Sequence, residues 1–196
     1  MSSAPAKIAF YLDPICPYSY KTSLWIREAR KVRALEIEWR FFSLKAVNEG
    51  TNNLKESHGK STDAFRLMAN ARLERGNEYV DKLYQSIGRL RHEERLDISE
   101  SAVLERAAKD VGIEASLLTR ALSDEMTLQV VQEDHDSGLQ KGAFGVASIE
   151  VDGDGRAFFG PVISDVPAGE RAGELWDHFA WLVAQPEFYE IKRERH

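Results

Sequence analysis

The residue pattern points to an α/β fold whose sheet is interrupted by a long helical stretch. Three features lead there: a strand–helix–strand opening, a hairpin-and-helix close, and a middle from about Ser61 to Leu139 with helical periodicity and no strand signal. At 196 residues, 43% hydrophobic and 30% charged, the chain can bury a core without disulfides or metals.

Ile8-Ala9-Phe10-Tyr11-Leu12 is a short apolar run that reads as a buried strand. Asp13-Pro14 stops it, because proline cannot donate to a sheet ladder. Pro17 suits the first turn of a helix, where its missing N–H costs nothing and its φ is already helical. From Tyr18 to Val32, Tyr20, Leu24 and Ala29 recur at helical spacing with Trp25 and Ile26 beside them, and Ile37 to Phe42 reads as a second strand. A right-handed crossover joins such a pair into a partly parallel sheet.

In the middle, Phe65 to Met68, Tyr79 to Leu90, Glu100 to Val111 and Ala115 to Leu122 give helical patterns. Asp97 or Ser99 is suited to cap the third and Gly112 to end it. Val146 to Val151 and Arg156 to Phe159 flank Asp152-Gly153-Asp154-Gly155, whose Asp-Gly pairs signal a hairpin. A last helix from Glu170 to Ala184 carries Leu175, Trp176, Phe179 and Leu182 at core spacing, and Trp25, Trp39, Trp176 and Trp181 all read as core. This order is that of a thioredoxin-like fold with a helical insertion domain: residues 1–60 and 140–196 form the thioredoxin-like domain, and residues 61–139 the insertion.

A formal charge of −6 is a poor match to a phosphate backbone, so no nucleic-acid partner is expected, and the basic end Lys192 to His196 reads as a solvated tail. Met1 to Lys7 leads into an apolar run of about five residues, too short for a signal peptide or a membrane span. A cytoplasmic protein with no membrane partner is expected. One cysteine excludes an internal disulfide, and no Cys/His cluster has zinc-site spacing, so no metal is expected.

That cysteine, Cys16, lies in Asp13-Pro14-Ile15-Cys16-Pro17-Tyr18-Ser19-Tyr20, where strand gives way to helix. Unpaired N–H groups and the macrodipole at a helix start favour a thiolate, which makes Cys16 a candidate nucleophile rather than a small buried hydrophobe. A second cysteine three residues on would make a redox pair; Ser19 occupies that position. Its hydroxyl could donate to the sulfur from one turn away, but is too weakly acidic to resolve a mixed disulfide. Tyr18 and Tyr20 are either pocket walls or packing, and Asp13 reads as the start of the turn. Among His58, His92 and His135, the last has the most charge-rich setting, between Asp134 and Asp136, and is the acid/base candidate against the plainer reading of a surface histidine.

The Asp13–Tyr20 segment resembles the active-site motif of DsbA-like oxidoreductases. Ala157 to Ser164, Gly173 to Asp177 and Phe188 to Arg193 resemble the actinobacterial mycothiol-dependent DsbA-like reductases, and the likeness runs nearly the full length. A related thioredoxin-fold family, the 2-hydroxychromene-2-carboxylate isomerases, is thiol-dependent and uses a serine at its equivalent site. The resemblance implies a catalytic Cys16 assisted by Ser19. It also implies a substrate surface of Pro17, Tyr18, Tyr20, Val146, Ala147 and Ser148, and either no cofactor or a low-molecular-weight thiol, mycothiol or glutathione.

Two departures stand out. Ser19 replaces the resolving cysteine, and Ala147 stands where a cis-proline is expected. A non-proline cis bond costs about 2.5 to 4 kcal/mol, so Ala147 is expected to be trans and its loop reshaped. Three functions then compete. The first is cis–trans isomerisation of a conjugated small molecule by reversible thiolate addition, which needs one nucleophile and transfers no electron. The second is monothiol oxidoreductase or transferase chemistry through a mixed disulfide with mycothiol or glutathione. The third is a non-catalytic binding protein. A small-molecule partner is expected, and a homodimer is left open.

Overall fold

The computed structural model describes residues 4–49 and 60–194. Strand β1 (Ala6–Leu12) is inner, parallel to β2 (Leu35–Phe41) on one side and antiparallel to β3 (Ser148–Val151) on the other. The short edge strand β4 (Phe158–Phe159) pairs antiparallel with β3, giving the order β2-β1-β3-β4. Alternation along β1 divides its side chains. Ile8, Phe10 and Leu12 enter the main core with Trp39, Phe41 and Ile149, while Tyr11 turns to a smaller cluster with Phe42, Ala143 and Val146.

Helix α1 (Pro17–Arg30) packs with the last helix of the chain, Glu170–Val183. The buried Trp25 indole N–H donates to the Ala172 carbonyl at 3.1 Å, and its ring meets Phe179 edge-on at 6.1 Å. Trp25, Trp39 and Trp176 are core as expected, but Trp181 is 65% exposed. Five residues beyond Trp176, it has rotated off the buried stripe of its helix.

Between β2 and β3 lie α2 (Leu44–Asn48), α3 (Thr62–Arg75), α4 (Asn77–Gly88), a π-helical turn (Arg89–Glu93), α5 (Ser101–Asp110), α6 (Ser116–Ser123) and α7 (Glu125–Gln140); Glu170–Val183 is therefore α8. The position capping α5 is Glu100, not Asp97 or Ser99. Asp97 instead accepts hydrogen bonds from the Ser99 N–H and hydroxyl and pairs with Lys60, closing its own turn. Gly112, at φ 74°, follows α5 as a left-handed terminator.

A single apolar cluster runs from β1, α1 and β2 into the helical stretch, with Phe41 against Phe65 at 5.8 Å. Asp134 of α7 is buried at the join: it accepts the Phe41 N–H at 3.1 Å and pairs with Arg72 at 2.7 Å and Arg40 at 3.2 Å. Gly138 lets α7 approach the sheet, since a Cβ there would lie 2.8 Å from Phe42 Cδ2. Among the described residues no helix is long and apolar enough to cross a membrane.

Candidate active site

The end of β1 leads directly to the site. Cys16 is the N-cap of α1, in extended conformation (φ −86°, ψ 114°), with Pro17 as the first helical residue. Its Sγ accepts the Ser19 N–H at 3.4 Å and lies 3.8 Å from the Val146 carbonyl oxygen. The sulfur therefore does what an N-cap oxygen does, taking up one of the four N–H groups a helix start leaves without an intrahelical partner, at the positive end of the dipole. Cys16 is partly exposed and packs against the smaller cluster of Tyr11, Phe42, Ala143 and Val146, so one flank of the residue is apolar.

Ser19 meets the sulfur through its backbone. Its buried hydroxyl hydrogen-bonds the Tyr84 hydroxyl of α4 at 2.9 Å, where the sequence reading had it donating to Sγ. Tyr84 is fully buried, burial pushes its phenol pKa up, and the Arg27 guanidinium carbon lies 5.7 Å from its ring and 4.3 Å from that of Trp39, which itself meets Tyr84 at 6.0 Å. The hydroxyl at the resolving position thus bonds to a buried phenol.

The Val146–Ala147 peptide is cis, correcting the trans bond expected from alanine at this position. A proline ring is not what fixes this loop. Val146 and Ala147 are buried, the Ala147 carbonyl accepts the Gly160 N–H at 2.8 Å, and the buried Ser148 hydroxyl donates to the Gly145 carbonyl at 2.8 Å. Phe144 and Phe159, stacked at 5.2 Å and 67% and 39% exposed, flank the loop; the sequence reading gave them no place in the site.

Pro17 and Tyr18 are exposed on the rim, but Tyr20 is buried and points inward. Its hydroxyl donates to Glu93 Oε1 at 2.7 Å, its ring stacks on His92 at 5.3 Å, and burial raises its pKa. His135 is not in a charged surface setting either. Its ring is fully buried against Phe42, Nδ1 accepts the Ser43 N–H at 3.2 Å, and burial lowers its pKa. His58 lies outside the described residues. The histidine in contact with the Cys16 segment is His92, whose Nε2 is 2.9 Å from the Pro14 carbonyl oxygen; separated by 78 residues, the pair left no local signal. Asp13 does open the turn by accepting the Ile15 N–H at 3.1 Å, and it also accepts the Leu44 N–H at 2.9 Å; burial pushes its pKa up to about 6. Among the described residues no group of three or more His, Cys, Asp or Glu is arranged to hold a metal ion.

A sheet whose inner strand delivers a cysteine to the N-cap of the following helix defines a DsbA-like thioredoxin-fold protein. Solved structures share the architecture. The probable DsbA oxidoreductase SCO1869 from Streptomyces coelicolor matches with a TM-score of 0.66 at 18% identity, over 97% of this chain and 95% of its own. A 2-hydroxychromene-2-carboxylate isomerase matches with a TM-score of 0.62 at 14% identity, over 90% and 96%. In sequence, the uncharacterised protein Rv2286c of Mycobacterium tuberculosis is 35% identical over 190 residues, 96% of this chain and 82% of that protein. The chain belongs to the Rv2466c-like family, described as mycothiol-dependent nitroreductase Rv2466c, whose family model matches residues 15–193. It is thus a thiol-dependent enzyme of the DsbA-like group, as the motif around Cys16 implied.

Proposed function

We propose that this chain is a monothiol enzyme in which Cys16 exchanges disulfides with a low-molecular-weight thiol of the mycothiol type. One observation carries the reading: the sole cysteine caps α1, and the side chain at the resolving position hydrogen-bonds Tyr84. Thiol chemistry in a family described as mycothiol-dependent then requires an external partner. The residues present suit a small thiol co-substrate: a partly exposed N-capped sulfur, a backbone carbonyl beside it, and Pro17 and Tyr18 on the open rim.

In the exchange, the Cys16 thiolate attacks one sulfur of the substrate disulfide. The new S–S bond forms as the old one breaks, and its electron pair leaves with the departing thiolate. The α1 N-terminus favours the attacking charge beforehand. A second small thiolate then attacks the mixed disulfide, carries its partner away as a symmetrical disulfide and returns Cys16 to thiolate. The substrate in this cycle is therefore a mixed disulfide between the small thiol and another thiol: one free small thiol is consumed, the two small-thiol halves leave joined, and the other half of the substrate is released as a thiol.

Reversible addition of Cys16 to a conjugated double bond is the second reading, favoured by the apolar flank formed by Tyr11, Phe42 and Val146 and by its need for one nucleophile alone. Its two sequence grounds are Ser19 in place of a resolving cysteine and Ala147 in place of a proline. The test incubates the protein with oxidised mycothiol and follows intact mass. A single mycothiol adduct on wild type, reversed by reduced mycothiol and missing in Cys16→Ser, is expected. No adduct, together with Cys16-dependent isomerisation of a cis-enone in thiol-free buffer, would replace exchange by addition. Turnover that survives Cys16→Ser defeats both.

A further inference from the structure

The peptide group joining Pro14 to Ile15 stands just before Cys16, and side chains hold both of its polar ends. Its carbonyl oxygen lies 2.9 Å from His92 Nε2, and its N–H donates to Asp13 Oδ1 at 3.1 Å. A carbonyl only accepts, so Nε2 carries the hydrogen and Nδ1 the lone pair. Burial lowers the His92 pKa, in keeping with a neutral ring. Through Oδ2, Asp13 also accepts the Leu44 N–H at 2.9 Å, tying the same segment to α2.

His92 comes from the π-helical turn Arg89–Glu93. A π turn widens the helix locally and re-aims the side chains it carries. Here the consecutive residues His92 and Glu93 both address α1: the His92 ring stacks on Tyr20 at 5.3 Å with 27° between planes, and Glu93 accepts the Tyr20 hydroxyl at 2.7 Å. Gly88, the last residue of α4, makes room for the Tyr20 ring, since a Cβ there would lie 2.2 Å from Tyr20 Cδ2. One five-residue turn therefore grips the chain on both sides of Cys16. The gripped peptide leads into Cys16, whose own N–H donates to the Asp13 carbonyl at 3.1 Å; rotation of the Pro14–Ile15 plane would swing that residue and move a sulfur now 3.4 Å from the Ser19 nitrogen and 3.8 Å from the Val146 carbonyl oxygen.

We propose that His92 is a positioning residue for Cys16, holding the Pro14–Ile15 peptide so that the sulfur stays on the α1 N-terminus. The proposal concerns the nucleophile alone and needs no particular substrate, so it stands or falls apart from disulfide exchange.

The test compares His92→Phe, which keeps a ring on Tyr20 but has no donor, with His92→Gln, which restores one. The second-order rate of Cys16 alkylation by iodoacetamide is read by intact mass from about pH 5 to about pH 9, beside urea unfolding. His92→Phe should react about tenfold more slowly near neutral pH, the scale expected when a reacting group is misplaced, with its pH profile displaced upward. His92→Gln should stay within about threefold of wild type. If His92→Phe does not unfold cooperatively, His92→Met is the non-donor in the same comparison. A non-donor variant with wild-type rate and profile overturns the proposal, and so does His92→Gln losing as much as the non-donor.

Discussion

Replacing Asp13 by asparagine should flatten part of the pH dependence of stability. The carboxyl is fully buried; it accepts N–H groups of Ile15 and Leu44, and desolvation outweighs them, raising its pKa from 3.8 to about 6. For an acid with a raised folded value, the folded state binds more protons than the unfolded chain across that window. Asp13's contribution is therefore fully present below 3.8 and lost as pH rises through about 6. At about 1.4 kcal/mol per pKa unit, the loss totals about 3 kcal/mol, of which about 2 kcal/mol falls between about pH 4.5 and about pH 7.5. Asparagine keeps one oxygen where the carboxyl meets the Ile15 and Leu44 N–H groups and the Ser61 side chain, which adds a pH-independent penalty of about 1 to 3 kcal/mol. Urea denaturation followed through the buried Trp25 and Trp39 measures both. The stability difference, wild type minus Asp13→Asn, should fall by about 2 kcal/mol from the lower to the higher pH. A difference that stays constant to within about 0.5 kcal/mol would refute the assignment of a proton to Asp13.

Two further substitutions test how the helical stretch packs on α1 and on β2. Gly88→Ala puts a methyl 2.2 Å from Tyr20 Cδ2, so urea midpoints should report an overpacking loss of about 1 to 3 kcal/mol, and Tyr20→Ala in the same chain should remove most of the added cost. Arg72→Met leaves buried Asp134 with Arg40 and the Phe41 N–H alone; a loss of about 2 kcal/mol is expected, short of the 3 to 5 kcal/mol for an abandoned buried charge. In an Asp134→Asn background the same change should cost clearly less, and equal costs in both backgrounds would dissolve the ion pair as the cause.

Local chemistry made much of this legible. Pro17 marked the first helical residue, Ile8 to Leu12 the core of β1, Asp-Gly pairs the β3–β4 turn, and the Cys16 motif the site. What the sequence could not reveal sits across long separations. Ser19 finds Tyr84 65 residues away, and a hydroxyl three residues from a sulfur gives no sign that it turns from it. His135 looked solvated because Asp134 and Asp136 flank it, yet Asp134 is itself buried under Arg72 and Arg40, so local charge predicted the wrong side of α7. Ala147 was expected to be trans from the intrinsic cost of a cis bond, a local quantity that the packing around Val146 and Gly160 overrides.

A site with one sulfur also differs from a two-cysteine site in what it responds to. Capping Cys16 from a symmetrical small disulfide releases one small thiol, so at equilibrium the capped fraction follows the disulfide-to-thiol ratio to the first power and ignores the size of the pool. A cysteine pair that closes on itself releases two thiols, and its oxidised fraction then rises when the whole pool is diluted at constant ratio. With serine at position 19 that second dependence is lost. Under the exchange proposed above, Cys16 would gauge the ratio alone, indifferent to how much thiol the surroundings hold.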